Sequence, residues 1–202
     1  MAASPQTGKT LAASRWRIGL AFVALACAAP ATALSPVADF DLNRYYGTWY
    51  EIASIPGFLQ SHCARDTQSE YTAADNGAIA TRARCLRSDG SIETNEARAR
   101  PLDPALPSVL KVTTVHFLGI WWYPFGRESI VIALDPEYRW LVAGHPSLRF
   151  GRILAREPVL SAEALRTITA ALTKEGFDPC IFVFTPQTGG HTRSTRLCDE
   201  VR

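Results

Sequence analysis

The chain has 202 residues, of which 47% are hydrophobic and 20% charged, with a formal net charge of +2. Lys9, Arg15 and Arg17 are the only charged side chains before position 34, and the remainder holds 18 Lys and Arg against 19 Asp and Glu. That remainder is near neutral, which gives a nucleic-acid partner no electrostatic support, and it is long enough for one domain with its own core.

The three early basic residues precede the apolar run IGLAFVALACAA. The run is shorter than the ~20 residues a membrane-crossing helix needs, and residues 1–33 read as a secretory signal peptide with Ala31-Thr32-Ala33 as its small-x-small cleavage site. Residues 34–202 are then one exported domain. A competing reading is a lipoprotein signal over 1–26 with Cys27 acylated, although its flank ALAC carries Ala24 where a bulky aliphatic is usual. The first reading places the protein in the periplasm; the second anchors it to the outer membrane. ASPQTGKT meets a relaxed phosphate-loop pattern, but no strand precedes it and Pro5 interrupts it, so it is read as coincidence.

From position 47 the sequence alternates with a period of two and breaks at turn signals, among them Asp75-Asn76-Gly77, Ser88-Asp89-Gly90 and Asp135-Pro136. The segments between them predict eight strands, at 47–54, 64–73, 78–87, 91–100, 108–117, 128–134, 139–144 and 150–156. Eight antiparallel strands in meander order can close into an all-β up-and-down barrel, which removes the sheet edges and leaves room for one small ligand. Next, SAEALRTITAALTKEGF predicts one C-terminal helix, with Ser161 as cap, Leu165, Ile168 and Leu172 on one face and Gly176 as stop. That face must cover something apolar, and the outside of the barrel is the surface available. CIFVF predicts a short ninth strand on the barrel edge, and from about 185 the chain reads as a tail.

Cys63, Cys85, Cys180 and Cys198 show no zinc spacing and no companion histidines, so in an oxidising compartment they predict disulfides. Cys63 and Cys85 lie nearly equally far from the turn at 74–77 and should meet across paired strands; Cys180–Cys198 would then tie down the tail. A free-thiol nucleophile at Cys63 or Cys85 is the rival.

Gly47 and Trp49 of the first strand, LDPEYRWLVAG, and GRILAREP with Arg156 resemble in order and spacing the three conserved segments of lipocalins. YYGTWYEIA, VIALDPEYRW and EGFDP are similar in particular to the bacterial branch related to apolipoprotein D, and the resemblance runs over roughly residues 39 to 187. It implies that Trp49 closes the narrow end of the barrel with the Arg156 guanidinium laid across its ring, a structural role for Gly47, Trp49 and Arg156.

With Trp49 inward, the period of two sends Glu51 and Ala53 inward. On other strands the less polar parity gives Tyr71, Ile79, Thr81, Ala83, Ala97, Ala99, Leu110, Val112 and Thr114 as cavity lining, with His116 above them as a head-group donor. The small side chains leave volume that leucine would fill; the alternative has these alanines facing outward under the helix. A buried Glu51 needs an arginine or tyrosine partner, or a wet part of the cavity. The turn after the fifth strand shares an end with the turn after the first, away from Trp49, so Phe58, Leu59, Phe117, Trp121, Trp122, Tyr123 and Phe125 are expected to form an aromatic barrel mouth. Contact with ligand or membrane, inward capping, and a dimer interface all remain open for it.

No nucleophile elbow, zinc-protease motif or nucleotide loop is present, and His62, His116, His145 and His191 are scattered, so the chain is read as a binding module and not an enzyme. The expectation is carriage or storage of a fatty acid, lysophospholipid or similar small hydrophobic ligand at the bacterial envelope. No cofactor, metal or nucleic acid is expected; membrane-surface contact and a monomer or weak homodimer are. Two rivals stand: an isomerase or epoxide-handling enzyme on the same scaffold, and an envelope interaction protein that uses the aromatic rim.

Overall fold

The computed structural model describes residues 33–57 and 62–201, together with Met1. The readings of residues 2–32 as a signal, of Cys27 as an acylation site, and of Phe58 and Leu59 as mouth residues lie outside the described residues.

In chain order the elements are α1 (Leu42–Tyr45), β1 (Gly47–Ser54), β2 (Arg65–Ala73), β3 (Ile79–Leu86), β4 (Ile92–Pro101), β5 (Val109–Thr113), β6 (His116–Phe117), β7 (Ile120–Trp121), β8 (Arg127–Leu134), β9 (Trp140–Gly144), β10 (Gly151–Ala155), α2 (Ala162–Lys174), β11 (Val183–Phe184) and α3 (Leu197–Glu200). Eight of these strands, all but the β6–β7 hairpin and β11, pair antiparallel with their neighbours, and β10 returns to pair with β1. The sheet therefore closes, and β11 adds a ninth strand outside the ring. The β2–β3 turn is made by Asn76 at φ 57° and Gly77 at φ 71°, the left-handed region that asparagine and glycine tolerate best.

The closed wall divides the apolar core in two. Inside it lie Trp49, Tyr71, Ile79, Ala99, Leu110, Val131, Leu141, Ala143 and Leu154, with Phe40, Tyr45 and Tyr138 joining from the lower end. Outside it, Ile168 and Leu172 of α2 pack with Ile130, Ile132, Val142, Ile153, Phe177, Phe182 and Phe184. Ser161 caps α2 by accepting from the Ala164 backbone N–H at 3.2 Å. The helix thus buries its apolar stripe on the barrel wall, as its period requires.

Three sequence expectations need correction. Ala53 faces outward: Glu51 pairs with Leu154 but Ala53 with Ile153, so Ile52 is an extra residue in a bulge and both Ile52 and Ala53 join the outer cluster. Inserting one residue inverts every later side chain, which a strict alternation cannot foresee. The fifth strand stops at Thr113 instead of 117, and the chain leaves the sheet to form the β6–β7 hairpin. The ninth strand is only Val183–Phe184, because Pro179–Ile181 form a 3-10 turn.

Disulfides join Cys63 to Cys85 (Cα–Cα 5.5 Å) and Cys180 to Cys198 (4.9 Å). In the chain-entropy view, loops of this size stabilise by roughly 3 kcal/mol each. The second holds the tail close to β1. Above Tyr50, β1 no longer pairs with β2; β11 takes that side of it, and the Gln187 carboxamide donates to the carbonyls of Glu51 (2.9 Å) and Thr67 (2.8 Å). The tail thereby satisfies backbone groups that the parted strands would leave unpaired.

Gly151 gives the tail's packing a direct test, since a Cβ there would sit 2.6 Å from the buried Phe182 ring. Gly151→Ala is expected to cost about 1–3 kcal/mol through overpacking, read as a lower urea midpoint with an unchanged slope.

Candidate functional site

The lower end of the barrel is sealed by one arginine. Arg156 lies just past β10, four residues from Arg152 and therefore on the same inward face. Its guanidinium carbon sits 3.8 Å above the Trp49 ring, which is fully buried. Its terminal nitrogens donate to the carbonyls of Thr48 (2.9 Å), Tyr46 (3.0 Å) and Arg44, gathering the end of α1 and the start of β1 under one cation. Gly47 is required beside it. The residue has φ +99°, and an added Cβ would press on Arg156 Nη1 at 3.3 Å. Below the ring, Trp49 Nε1 donates to the Tyr45 carbonyl at 2.7 Å, and Tyr45 packs on Tyr71 with ring centroids 4.5 Å apart. Burial, reinforced by Tyr71, drives the Tyr45 phenol well above its ordinary value, so it is a neutral part of the floor.

The β8–β9 turn braces this end. Asp135 accepts from Arg139 Nε (2.9 Å) and Nη2 (2.7 Å) and from the backbone of Glu137 and Arg139. The hydrogen bonds from Arg139 hold its carboxyl below the usual aspartate range.

Around the wall from Trp49 several inward side chains are small. Strand pairing sets Trp49 beside Ser69, Ser69 beside Ala83, Tyr71 beside Thr81, and Thr81 beside Ala97. Trp49, Tyr71, Ile79, Ala99 and Leu110 are buried, whereas Thr81, Ala83, Ala97 and Val112 keep partial exposure although they share the inward face. These positions are thus less closely covered than those around Trp49. Small, incompletely covered inward side chains are what a hollow interior requires.

Glu51 is 3% exposed on the inward face, and its partner is Arg152, a residue that the sequence reading passed over. Arg152 Nε donates to Glu51 Oε2 at 2.7 Å, while Ser54 Oγ (3.0 Å) and Thr185 Oγ1 (2.9 Å) donate to Oε1. Burial opposes the Arg152 charge, but Glu51, followed by Tyr71, prevails and holds the group above the ordinary arginine value. The signal was available: counting back from Arg156 by twos puts Arg152 inside. Thr185 and Gln187 carried no such signal, because nothing local says that a tail will lie against β1.

Two other expectations change here. Thr114 and His116 are exposed and do not line the cavity, because β5 ends at Thr113, whose Oγ1 donates to the Trp122 carbonyl. His116 stacks on Trp121 at 4.5 Å in the hairpin instead. Trp121 and Tyr123 do not ring the opening. They lie under the guanidinium groups of Arg98 (5.2 Å) and Arg100 (4.3 Å), both outward residues of β4, so the hairpin folds back over the outer wall. Phe117, Leu118, Ile120, Trp122 and Phe125 stay exposed on it. All four cysteines among the described residues are in disulfides, which leaves no thiol nucleophile there.

Arg156→Ala should lower stability by about 3 kcal/mol, from charge-assisted bonds and ring stacking lost together, and shift the tryptophan emission; Arg156→Lys should recover only part, because an ammonium cannot stack and fork at once. Asp135 has a depressed folded pKa, so its contribution is whole above its unfolded value of ~3.9 and is lost as pH falls through the folded one. Asp135→Asn should therefore be less stable than wild type at neutral pH and show a flatter acid limb in urea midpoints taken between pH ~5 and ~2.

A family model described as a lipocalin-like domain matches residues 40–187. The outer membrane lipoprotein Blc of Escherichia coli (strain K12) is 33% identical over 172 residues, covering 84% of this chain and 93% of that protein. Apolipoprotein D of Macaca fascicularis is 30% identical over 146 residues, covering 69% and 73%. Among solved structures, insecticyanin from the tobacco hornworm Manduca sexta aligns with a TM-score of 0.60 at 20% identity, covering 80% of this chain and 89% of that one. Lobster apocrustacyanin A1 aligns at 0.56 and 18%, covering 72% and 79%. These last two carry the fold alone. With the closed eight-stranded sheet, the arginine-stacked tryptophan at its floor and a family match over most of its length, the chain belongs to the lipocalin family.

Proposed function

We propose that this protein binds a small hydrophobic ligand, a fatty acid, lysophospholipid or similar lipid, in the barrel and carries or stores it at the bacterial cell envelope. The observation that carries this reading is the gradient along the inward face, buried around Trp49 and partly accessible at Thr81, Ala83 and Ala97. About ten buried methylenes at roughly 0.8 kcal/mol each supply ~8 kcal/mol before association costs, which is the scale of micromolar binding. The envelope location draws on the similarity to the Escherichia coli outer membrane lipoprotein and on the signal read at residues 1–33, with acylation of Cys27 as its anchored variant. A binding protein is favoured over an enzyme, because the described cysteines are all in disulfides and the buried inward carboxylate, Glu51, is engaged by Arg152, Ser54 and Thr185.

The exposed hairpin favours membrane-surface contact as a second property. Phe117, Leu118, Ile120 and Phe125 are all at least 60% exposed, with Arg98 and Arg100 beside the same hairpin. Apolar side chains next to cations suit an interface of acyl chains and anionic head groups.

Native mass spectrometry of the protein purified from its own host should find a co-purifying lipid, and the same spectrum reads the N-terminus as Leu34 or acylated Cys27. A protein that carries none and takes up no fluorescent fatty acid would rule out the carrier reading. Co-sedimentation with anionic vesicles should fall several-fold on replacing Phe117 and Leu118 by serine; equal sedimentation would remove the membrane contact.

A further inference from the structure

We propose that Arg152 is the head-group site of the barrel: its guanidinium receives the oxygens of an anionic oxo-acid head, a carboxylate or a phosphate, with Glu51 as the positioning residue that holds it. The proposal rests on the lipid-carrier reading and adds to it a ligand class.

Arginine has five N–H donors, and among the described residues only Nε finds an acceptor, Glu51 at 2.7 Å. Among the described residues no acceptor is hydrogen-bonded to Nη1 or Nη2. The residue pairs with Ser54 and Ala143 on the inward face of β10, and its side chain keeps 18% exposure. Donors withdrawn from bulk water and left without an acceptor are costly, and the two terminal nitrogens form a fork that matches a carboxylate or phosphate in bidentate fashion. Ser69 lies on the same inner face, fully buried, and its Oγ has no partner among the described residues. Glu51 meanwhile accepts from Ser54, Thr185 and Arg152, so its lone pairs serve to fix the guanidinium. A cationic head would meet that engaged carboxylate and the guanidinium together, whereas an anionic head meets unused donors.

The floor sets how the chain of the ligand must lie. Trp49 and Arg156 close the space beneath, so the chain of a ligand whose head is at Arg152 cannot leave through the floor. Glu51 and Arg152 neutralise each other, so the preference for an anion comes from contact hydrogen bonds and should be short-ranged and weakly dependent on salt.

The test is a fluorescence titration of the purified protein at neutral pH with a naturally fluorescent polyene fatty acid, with its methyl ester, and with dodecyl phosphate as a displacing ligand. Wild type should prefer the acid to the ester by about tenfold or more, the scale of one charge-assisted bond. Arg152→Met should bring that ratio to near one through loss of affinity for the acid, and Arg152→Lys should retain part of the preference. Should the single variant fail to fold because Glu51 loses the Arg152 charge, Glu51→Gln with Arg152→Met serves in its place, and the wild-type ratio decides if neither folds. Displacement by dodecyl phosphate as well as by the acid supports a general oxo-acid site; displacement by one alone narrows the head to that source. Acid and ester bound within twofold of each other, or a preference that survives in Arg152→Met, overturns the proposal and leaves the carrier reading intact. If no probe binds, both fail together.

Discussion

A single cation organises the lower end of this barrel, and the rest of the structure is built above it. The Arg156 guanidinium stacks on Trp49 and hydrogen-bonds the backbone carbonyls of Arg44, Tyr45, Tyr46 and Thr48. Closing a sheet removes its edges but leaves two open ends, and each end exposes a ring of side chains and strand termini. Here one end is shut by a flat, weakly hydrated cation that donates to four carbonyls while covering an aromatic face, a combination lysine cannot supply. The cost falls on Gly47, which must take a left-handed φ and carry no Cβ so that the guanidinium can approach.

With the floor fixed, the wall above can do without large side chains. Ser69, Thr81, Ala83 and Ala97 face inward where a stability-driven core would hold leucine or isoleucine, which trades packing density for volume. Stability is recovered outside the wall. The α2 stripe, Phe177, Phe182 and Phe184 form a second apolar layer over β8, β9 and β10, and the Cys180–Cys198 bridge holds the tail that contributes two of those rings. Binding space and folding energy are thus separated by the sheet itself.

The ion pair inside the wall belongs to both functions. The Glu51 and Arg152 side chains are tied to Ser54 and to Thr185 of the tail, so the tail that closes the gap between β1 and β2 also sets the polar geometry of the interior. A buried ion pair is seldom a gain in stability over apolar residues of the same size. The head-group role proposed for Arg152 accounts for its presence among small and apolar groups, which folding stability does not. The exposed hairpin is a separate matter: it leans on the outer wall through Arg98 and Arg100 and leaves the inward face to the alanines.

Much of this was legible in the sequence, because it rests on local rules. The turn residues at 75–77, the period-two segments and the amphipathic stripe of α2 mark the strands and the helix, and the spacing of Gly47, Trp49 and Arg156 marks the floor. The inward positions of Tyr71, Ile79, Thr81, Ala83, Ala97, Ala99, Leu110 and Val112 followed from parity alone. What the tertiary structure decided lies where parity breaks or where partners are far apart in the chain. One extra residue at Ile52 turned Ala53 outward; the exit of the chain after Thr113 carried Thr114, His116, Trp121 and Tyr123 off the cavity; and Arg152 meets Glu51 across 101 residues. Alternation is fixed by each residue's own backbone, whereas a bulge, a hairpin's direction and a buried pair are settled by the free energy of the assembled sheet, to which no single stretch of sequence has access.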